Sequence, residues 1–315
     1  MESISYLLPI KNGENYLNDI FQYFERNFNE MDQIVFVNDS SNDNTIKLLN
    51  AFSTKHSNWN IKVINSSGTG LVEALNVGAK ECDYGWIARF DVDDKYIDGR
   101  IEKQRIYLND KVAAVFCDYK LHFPNGLNAG FIPSPIDNLS MLLSLPLSQQ
   151  TPHPGVIFNK EKFKKVGMYS QQDFPIEDIA LWFRLAHAGQ LISVPEILLD
   201  YRMSNSGTIG SRRKLAGIKL RQLTFNLDPL WSQIEMNLAD LPRNYLNLKS
   251  YPASFERKLF FIRNIRYWRK RGYAVPNFTR FEFLTLFSLL LSNSIRFARL
   301  IYFQLLRLVY RSKIS

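Results

Sequence analysis

Short apolar runs alternate with amphipathic stretches through the first hundred residues. Ser3 to Leu8, Gln33 to Val37, Ile61 to Ile64 and Gly85 to Phe90 read as strands, and each is followed by a helix-like segment: Tyr16 to Phe28, Asn44 to Phe52, Leu71 to Ala79 and Gly99 to Leu108. Continuous apolar strands followed by amphipathic helices predict βαβ units and a mostly parallel central sheet with helices on both faces, an α/β fold. Val112 to Phe116 adds a strand, Asp137 to Ser148 a helix, and Thr151 to Phe158 (TPHPGVIF) a loop entering a strand. Between Phe174 and Gly189, apolar residues at 179, 182, 183 and 186 follow the spacing of a helix packed on a core, with Gly189 as its stop. Past Tyr201 the alternation gives way to segments rich in aromatics and Arg. The predicted domains are an α/β unit over 1–210 and a helical extension over 211–315.

In parallel sheets ligands bind beyond the carboxyl ends of the strands. Polar segments stand at those ends here: PIKNGE (Pro9 to Glu14), NDSSNDNT (Asn38 to Thr45), NSSGTG (Asn65 to Gly70) and DVDD (Asp91 to Asp94).

A chain of 315 residues that is 46% hydrophobic has enough apolar surface for a sizeable core. Two cysteines, Cys82 and Cys117, form neither a disulfide framework nor a CxxC zinc site, which favours a reducing compartment. The start, MESISYLLPIKNGEN, lacks the basic region and long apolar core of a signal peptide, and no stretch is long and apolar enough to span a bilayer, so a cytoplasmic protein is expected. The net charge of +9 sits in the tail: Tyr251 to Ser315 holds ten Arg and three Lys against two Glu. On a helix over Ile295 to Arg311, Arg296, Arg299, Arg307 and Arg311 fall within an arc of roughly 120° with apolar residues elsewhere, an interfacial pattern. An anionic membrane surface is the expected partner, and the protein is placed peripherally on the inner face of the cell membrane. No nucleic-acid signature accompanies the basic segment, so no nucleic-acid partner is expected.

The candidate chemistry lies in the acids. Asp91 and Asp93, two apart on an extended chain, share a face, and clustered carboxylates suit a hard divalent cation such as Mg2+ or Mn2+ completed by water and substrate phosphates. A solvated turn with Asp94 capping a helix is the other reading of the same residues. Asp39, at the end of the second strand, is either a helix cap or an acceptor for a base or ribose, with Asp43 better placed as the cap. Glu177 and Asp178 open a helix, where the dipole favours acids, and that helix also fixes a carboxylate as a general base requires. His153, between two prolines, suits a structural place or one near an acceptor. GTGLVE (Gly68 to Glu73) lacks the third glycine of a dinucleotide fingerprint, and GxxxxGK[ST], GxSxG and HExxH are absent, which disfavours dehydrogenase, P-loop, α/β-hydrolase and zinc-hydrolase chemistry.

In chain order SYLLPIKNGENYL (Ser3 to Leu17), IVFVNDSSNDNT (Ile34 to Thr45), ALNVGAKECDYGWIARFDVDDKYIDGRIEKQ (Ala74 to Gln104), HPGVIFNKEKFKKVGMYS (His153 to Ser170) and EDIALWFRLAHAG (Glu177 to Gly189) resemble the family 2 glycosyltransferases, inverting enzymes of the GT-A fold. The resemblance implies a nucleotide-diphosphate sugar donor, UDP-linked by expectation, and a glycan or lipid-linked acceptor in surface polysaccharide synthesis. It implies Pro9, Ile10, Asn12 and Asp39 around the nucleotide, Arg89 and Asp91 on the ribose and diphosphate side, Asp93 with Asp91 at the metal, Asp178 as base, and Glu177 with His153 toward the acceptor. The sequence departs from the family's pattern at Asn38, where an acid often stands, and at YRMS (Tyr201 to Ser204), which lacks the histidine of YRxH. The QxxRW signature of processive synthases is absent, so transfer of a single sugar is expected. Two rival functions fit the residues read alone: a nucleotidyltransferase with an acidic metal site, short of a basic signature beyond Lys11, and a non-catalytic membrane-bound scaffold.

Overall fold

The computed structural model describes residues 2–122, 128–132, 134–138, 141, 145, 151–202, 215, 216, 218–220 and 223. The expected elements appear within a few residues of their sequence positions. Strands β1 (Ile4–Ile10), β2 (Gln33–Asn38), β3 (Asn60–Asn65) and β4 (Trp86–Arg89) alternate with helices α1 (Leu17–Asn27), α2 (Thr45–Lys55) and α3 (Leu71–Glu81). Then come β5 (Lys95–Tyr96), α4 (Arg100–Arg105), β6 (Val112–His122), β7 (Asn128–Ile132), a 3-10 turn (His153–Gly155), β8 (Ile157–Asn159), α5 (Lys160–Lys165), α6 (Glu177–Leu185) and β9 (Gln190–Arg202).

These strands form one sheet in the order β3-β2-β1-β4-β8-β6-β9-β5, with β7 against β6. The half from β3 to β4 is parallel, β6 and β9 are parallel, and β8, β5 and β7 join antiparallel. Most of the ladder is therefore parallel, as the alternating pattern requires.

The period of two along each inner strand divides the core into two layers. Tyr6, Leu8, Ile34 and Phe36 pack with Leu17, Ile20, Phe24, Leu49 and Phe52 from α1 and α2. Leu7, Val35 and Val37 face the other way, onto Val72 and Leu75 of α3 and a cluster that includes Trp182 of α6. Cys82 and Cys117 are free and buried core thiols, each pushed up to about 12 by burial.

Two long-range features went beyond the sequence reading. The strand expected at Val112 to Phe116 continues to His122, and it pairs over that length with β9, a strand the sequence analysis did not predict. Pro195 within QLISVPEILLDYR argues against a regular strand, and the pairing skips there, from Cys117–Val194 to Asp118–Ile197, so the proline sits in an irregularity. The helix expected over Asp137 to Ser148 is described only in part: Met141 N–H donates to the Asp137 carbonyl and Leu145 N–H to that of Met141.

Within the 211–315 extension, Ala216, Leu220 and Leu223 pack against the α3 and α6 side of the core. The amphipathic segment Ile295 to Arg311 lies outside the described residues. Among the described residues no helix is long and apolar enough to cross a membrane.

Candidate active site

The acidic run follows β4, an inner strand, at its carboxyl end. Ligand oxygens of Asp91, Asp93 and Asp94 lie within 4.8 Å of one another, the spacing a single cation can bridge. The turn is held from behind: the Tyr96 hydroxyl accepts the Asp91 N–H at 2.6 Å and donates to the Asp91 carbonyl at 2.9 Å. Asp94 is not a helix cap. Its carboxylate accepts the Arg202 N–H of β9 at 2.7 Å, and its other oxygen, buried, has no hydrogen-bond partner among the described residues. Burial, then the charge of Asp91, pushes Asp93 up to about 6, and burial followed by Asp91 and Asp93 raises Asp94 strongly. Acids packed this closely out of water favour a proton or a cation among them.

Arg89, the last residue of β4, is 2% exposed and forms an ion pair with Asp91. Burial opposes its charge, but Asp91 more than offsets this and raises its pKa.

At the ends of β1 and β2, the buried Asp39 accepts the Ser66 hydroxyl at 2.6 Å and lies 3.7 Å from the Lys11 ammonium. The N-cap of α2 is Asn44 rather than Asp43, and the Asp43 carboxylate beside it takes the N–H groups of Thr45 at 3.0 Å and Glu14 at 3.1 Å. Asn12 adopts a left-handed φ of 54° and accepts the Asn42 N–H at 2.9 Å, while Ser40 in the facing loop has φ 52°. Two non-glycine residues in this sparsely populated region mark loops held in a particular shape. Pro9 and Ile10 are buried within the sheet and reach the opening only through backbone: the Ile10 carbonyl accepts the Asp39 N–H at 2.8 Å. Asn38, where the resemblance leads one to look for an acid, donates to Asn65 at 2.8 Å.

Glu177 and Asp178 open α6, whose apolar face carries the fully buried Trp182. Both acids are nearly buried, and Asp178 accepts its own helix's Ile179 N–H at 2.8 Å. Burial pushes Asp178 up to about 6 and, with the Asp178 charge beside it, Glu177 up to about 7. The Arg89 charge pulls both down and Asp91 pushes both up, so the fold brings the start of α6 into electrostatic reach of the β4 turn.

His153, expected toward an acceptor, is only 9% exposed and shares a 2.8 Å hydrogen bond with the Tyr169 hydroxyl, its ring edge-on to Trp182. Burial and then Arg89 hold it well below the ordinary imidazole range, so it is neutral at pH 7. The sequence analysis did not single out Ser66, Tyr96, Tyr169 or Arg100. Arg100 is fully buried over the rings of Phe90 and Tyr96, at 4.3 and 5.0 Å, and donates to the Arg89 carbonyl at 3.1 Å. Its spacing of four from Gln104, which its Nε reaches at 3.0 Å, was the available signal.

The family described as Glycosyl transferase family 2 matches residues 5–167, more than half of the chain and the span that builds the β4 turn and the Asp39 loop. The chain is a family 2 glycosyltransferase. Relatives of this glycosyltransferase include an uncharacterized glycosyltransferase of Haemophilus influenzae, 25% identical over 71% of this chain and 84% of the relative. The amylovoran biosynthesis glycosyltransferase AmsE of Erwinia amylovora is 28% identical over 58% and 68%, and the O-antigen biosynthesis glycosyltransferase WbnJ of Escherichia coli 26% over 66% and 82%. Among solved structures, the mannosyltransferase PcManGT of Pyrobaculum calidifontis with GDP-Man and Mn2+ superposes with a TM-score of 0.55 at 14% identity, over 87% of this chain and 76% of that one. S. aureus TarS 1-349 with UDP-GlcNAc superposes at 0.54 and 14%, over 84% and 81%. These neighbours show the GT-A fold for this glycosyltransferase.

Proposed function

We propose that this glycosyltransferase moves one sugar, with inversion, from a nucleotide-diphosphate donor, UDP-linked in first preference, to a lipid-linked or glycan acceptor in the synthesis of a surface polysaccharide. The observation that carries the reading is the convergence of two acidic groups with separate surroundings: the Asp91, Asp93 and Asp94 turn at the end of β4, and Glu177 with Asp178 at the start of α6. Relatives named for amylovoran and O-antigen biosynthesis support the substrate class.

Three carboxylates with oxygens in mutual reach, one of these oxygens, on Asp94, buried without a hydrogen-bond partner among the described residues, fit a divalent cation, Mn2+ or Mg2+. Asp93 and Asp91 would hold it, and when bound it supplies positive charge to the departing diphosphate. The chain's own residues do the rest. Asp39, aligned by Ser66, accepts from the base, with the Asn12 loop and the backbone of Pro9 and Ile10 beside it. Asp178, ionised at pH 7 with its pKa near 6, takes the proton of the acceptor hydroxyl. The hydroxyl oxygen bonds to the anomeric carbon as the bond from that carbon to the phosphate oxygen breaks, its electron pair leaving with the nucleoside diphosphate. Glu177 orients the acceptor, and His153 supports this side through Tyr169 without contact. Residues 1–210 form the catalytic unit, and the basic 211–315 extension brings it to the inner membrane face.

Calorimetric titration with UDP and dTDP, with and without Mn2+, on the full chain and on Asp93→Ala tests the reading. Binding that requires both the metal and Asp93 is expected. Failure of both nucleotides to bind the unmodified protein would overturn the donor assignment and favour the non-catalytic scaffold.

A further inference from the structure

Arg89 is the cation common to both acidic groups, and it has almost no route to solvent. It ends β4 between β1, where it pairs with Leu7, and the Val156 carbonyl, which accepts its N–H at 2.9 Å. With 2% of the residue exposed, the guanidinium pairs with the Asp91 carboxylate, whose side chain is itself 29% exposed. Its Nε is buried and has no hydrogen-bond partner among the described residues. A buried guanidinium left partly unpaired is costly, so a structural role alone is better filled by an apolar residue.

The surroundings define what it does instead. Arg100 grips the Arg89 carbonyl from below while lying over Phe90 and Tyr96, and Tyr96 grips the Asp91 backbone. Arg89 then takes the Asp91 carboxylate, so the backbone and the side chain of this acid are held by different partners. Its charge acts on Asp93, Asp94, Glu177 and Asp178 alike.

We infer that Arg89 is a positioning residue that acts through Asp91, fixing that carboxylate and offsetting the acidic charge of the site, and touches neither donor nor acceptor. This departs from the donor contact implied by the family resemblance, and it rests on the glycosyl-transfer reading proposed above. A cation in contact with the diphosphate would contribute to donor affinity on its own account. One working through Asp91 loses its effect once Asp91 is neutral.

The test is a double-variant cycle on the full chain with Arg89→Met, Arg89→Lys, Asp91→Asn and the Arg89→Met/Asp91→Asn pair, read by UDP calorimetry with Mn2+, by donor turnover and by thermal melting. Arg89→Met is expected to lower kcat by about 30-fold or more and to weaken metal-dependent UDP binding no further than Asp91→Asn does, and the double variant to be no slower than Asp91→Asn alone. Arg89→Lys, which keeps the charge, is expected to recover part of kcat, as a purely structural role would not predict for a shape-changing substitution. Effects that multiply in the double variant, or UDP binding that Arg89→Met weakens further in the Asp91→Asn protein, would overturn the inference in favour of direct contact. Should Arg89→Met fail to fold, the cycle runs with Arg89→Lys. Melting follows the pair without any substrate: a double variant that melts at the sum of the single shifts shows no coupling and overturns the inference. Absence of UDP binding in the unmodified protein, with the melting coupling intact, instead overturns the UDP donor assignment of the proposed function.

Discussion

The Tyr96 hydroxyl and the Asp91 backbone form a closed pair, the phenol accepting the N–H at 2.6 Å and donating to the carbonyl at 2.9 Å. A two-residue strand, β5, therefore sets the path of the chain through the acidic turn. Tyr96→Phe removes both bonds and leaves a buried N–H and C=O facing a ring, at a cost of about 1–3 kcal/mol. Metal-dependent UDP affinity is expected to weaken by about tenfold while metal-free binding is unchanged, as calorimetry on the two proteins would show.

Asp178→Asn keeps the shape of the side chain and removes the proton acceptor. Turnover is expected to fall by about 10²–10⁴-fold with donor KM changed little. Initial rates against donor concentration separate the two parameters, and an equal loss in affinity would remove Asp178 from the role of base.

The acid limb of the rate profile follows from the same residue. Burial raises the Asp178 pKa to about 6, and only the ionised form accepts a proton, so kcat is expected to rise with pH through about 6 and level off above 7. Because folded Glu177 and Asp178 bind protons more tightly than in the unfolded chain, the stability they contribute is present below their ordinary pKa and is lost as pH rises through about 6 to 7. The metal-free protein should then melt at a lower temperature at pH 8 than at pH 5 by this contribution, an effect that Glu177→Gln reduces.

Donor recognition is expected to depend on Asp39. Asp39→Ala removes an acceptor aligned by Ser66, and UDP affinity should fall by about 1–3 kcal/mol, with Ser66→Ala costing less. Inorganic diphosphate, which has no base, should bind both variants as it binds the unmodified protein.

Helix α3 crosses β1 and β2 with no room to spare at Gly78, where an added Cβ would overlap the Leu7 and Val37 side chains. Gly78→Ala is expected to destabilise the fold by about 1–3 kcal/mol, despite the better helix propensity of alanine. Trp182→Ala should cost more, about 3–5 kcal/mol, because it empties a fully buried site against Phe116 and His153 and loosens the helix that carries Asp178. Urea unfolding gives both values.

The order of apolar and amphipathic runs determined β1 to β4 and the helices between them, and with them the position of the DVDD turn and Asp39 at the carboxyl ends of the strands. Those features follow from local periodicity, which every window of the chain carries for itself. The helix that opens with Glu177 and Asp178 was legible for the same reason. Only the tertiary structure decided the rest. β9 is a strand because β6 pairs with it despite Pro195, and Arg89 is sealed because β1, β8 and the Asp91 carboxylate enclose it. Tyr96, Arg100, Ser66 and Tyr169 matter through partners distant in sequence or through burial, neither of which a period reveals. The raised carboxyl pKa values have the same origin: an acid's chemistry depends on the water that packing removes and the charges it brings close.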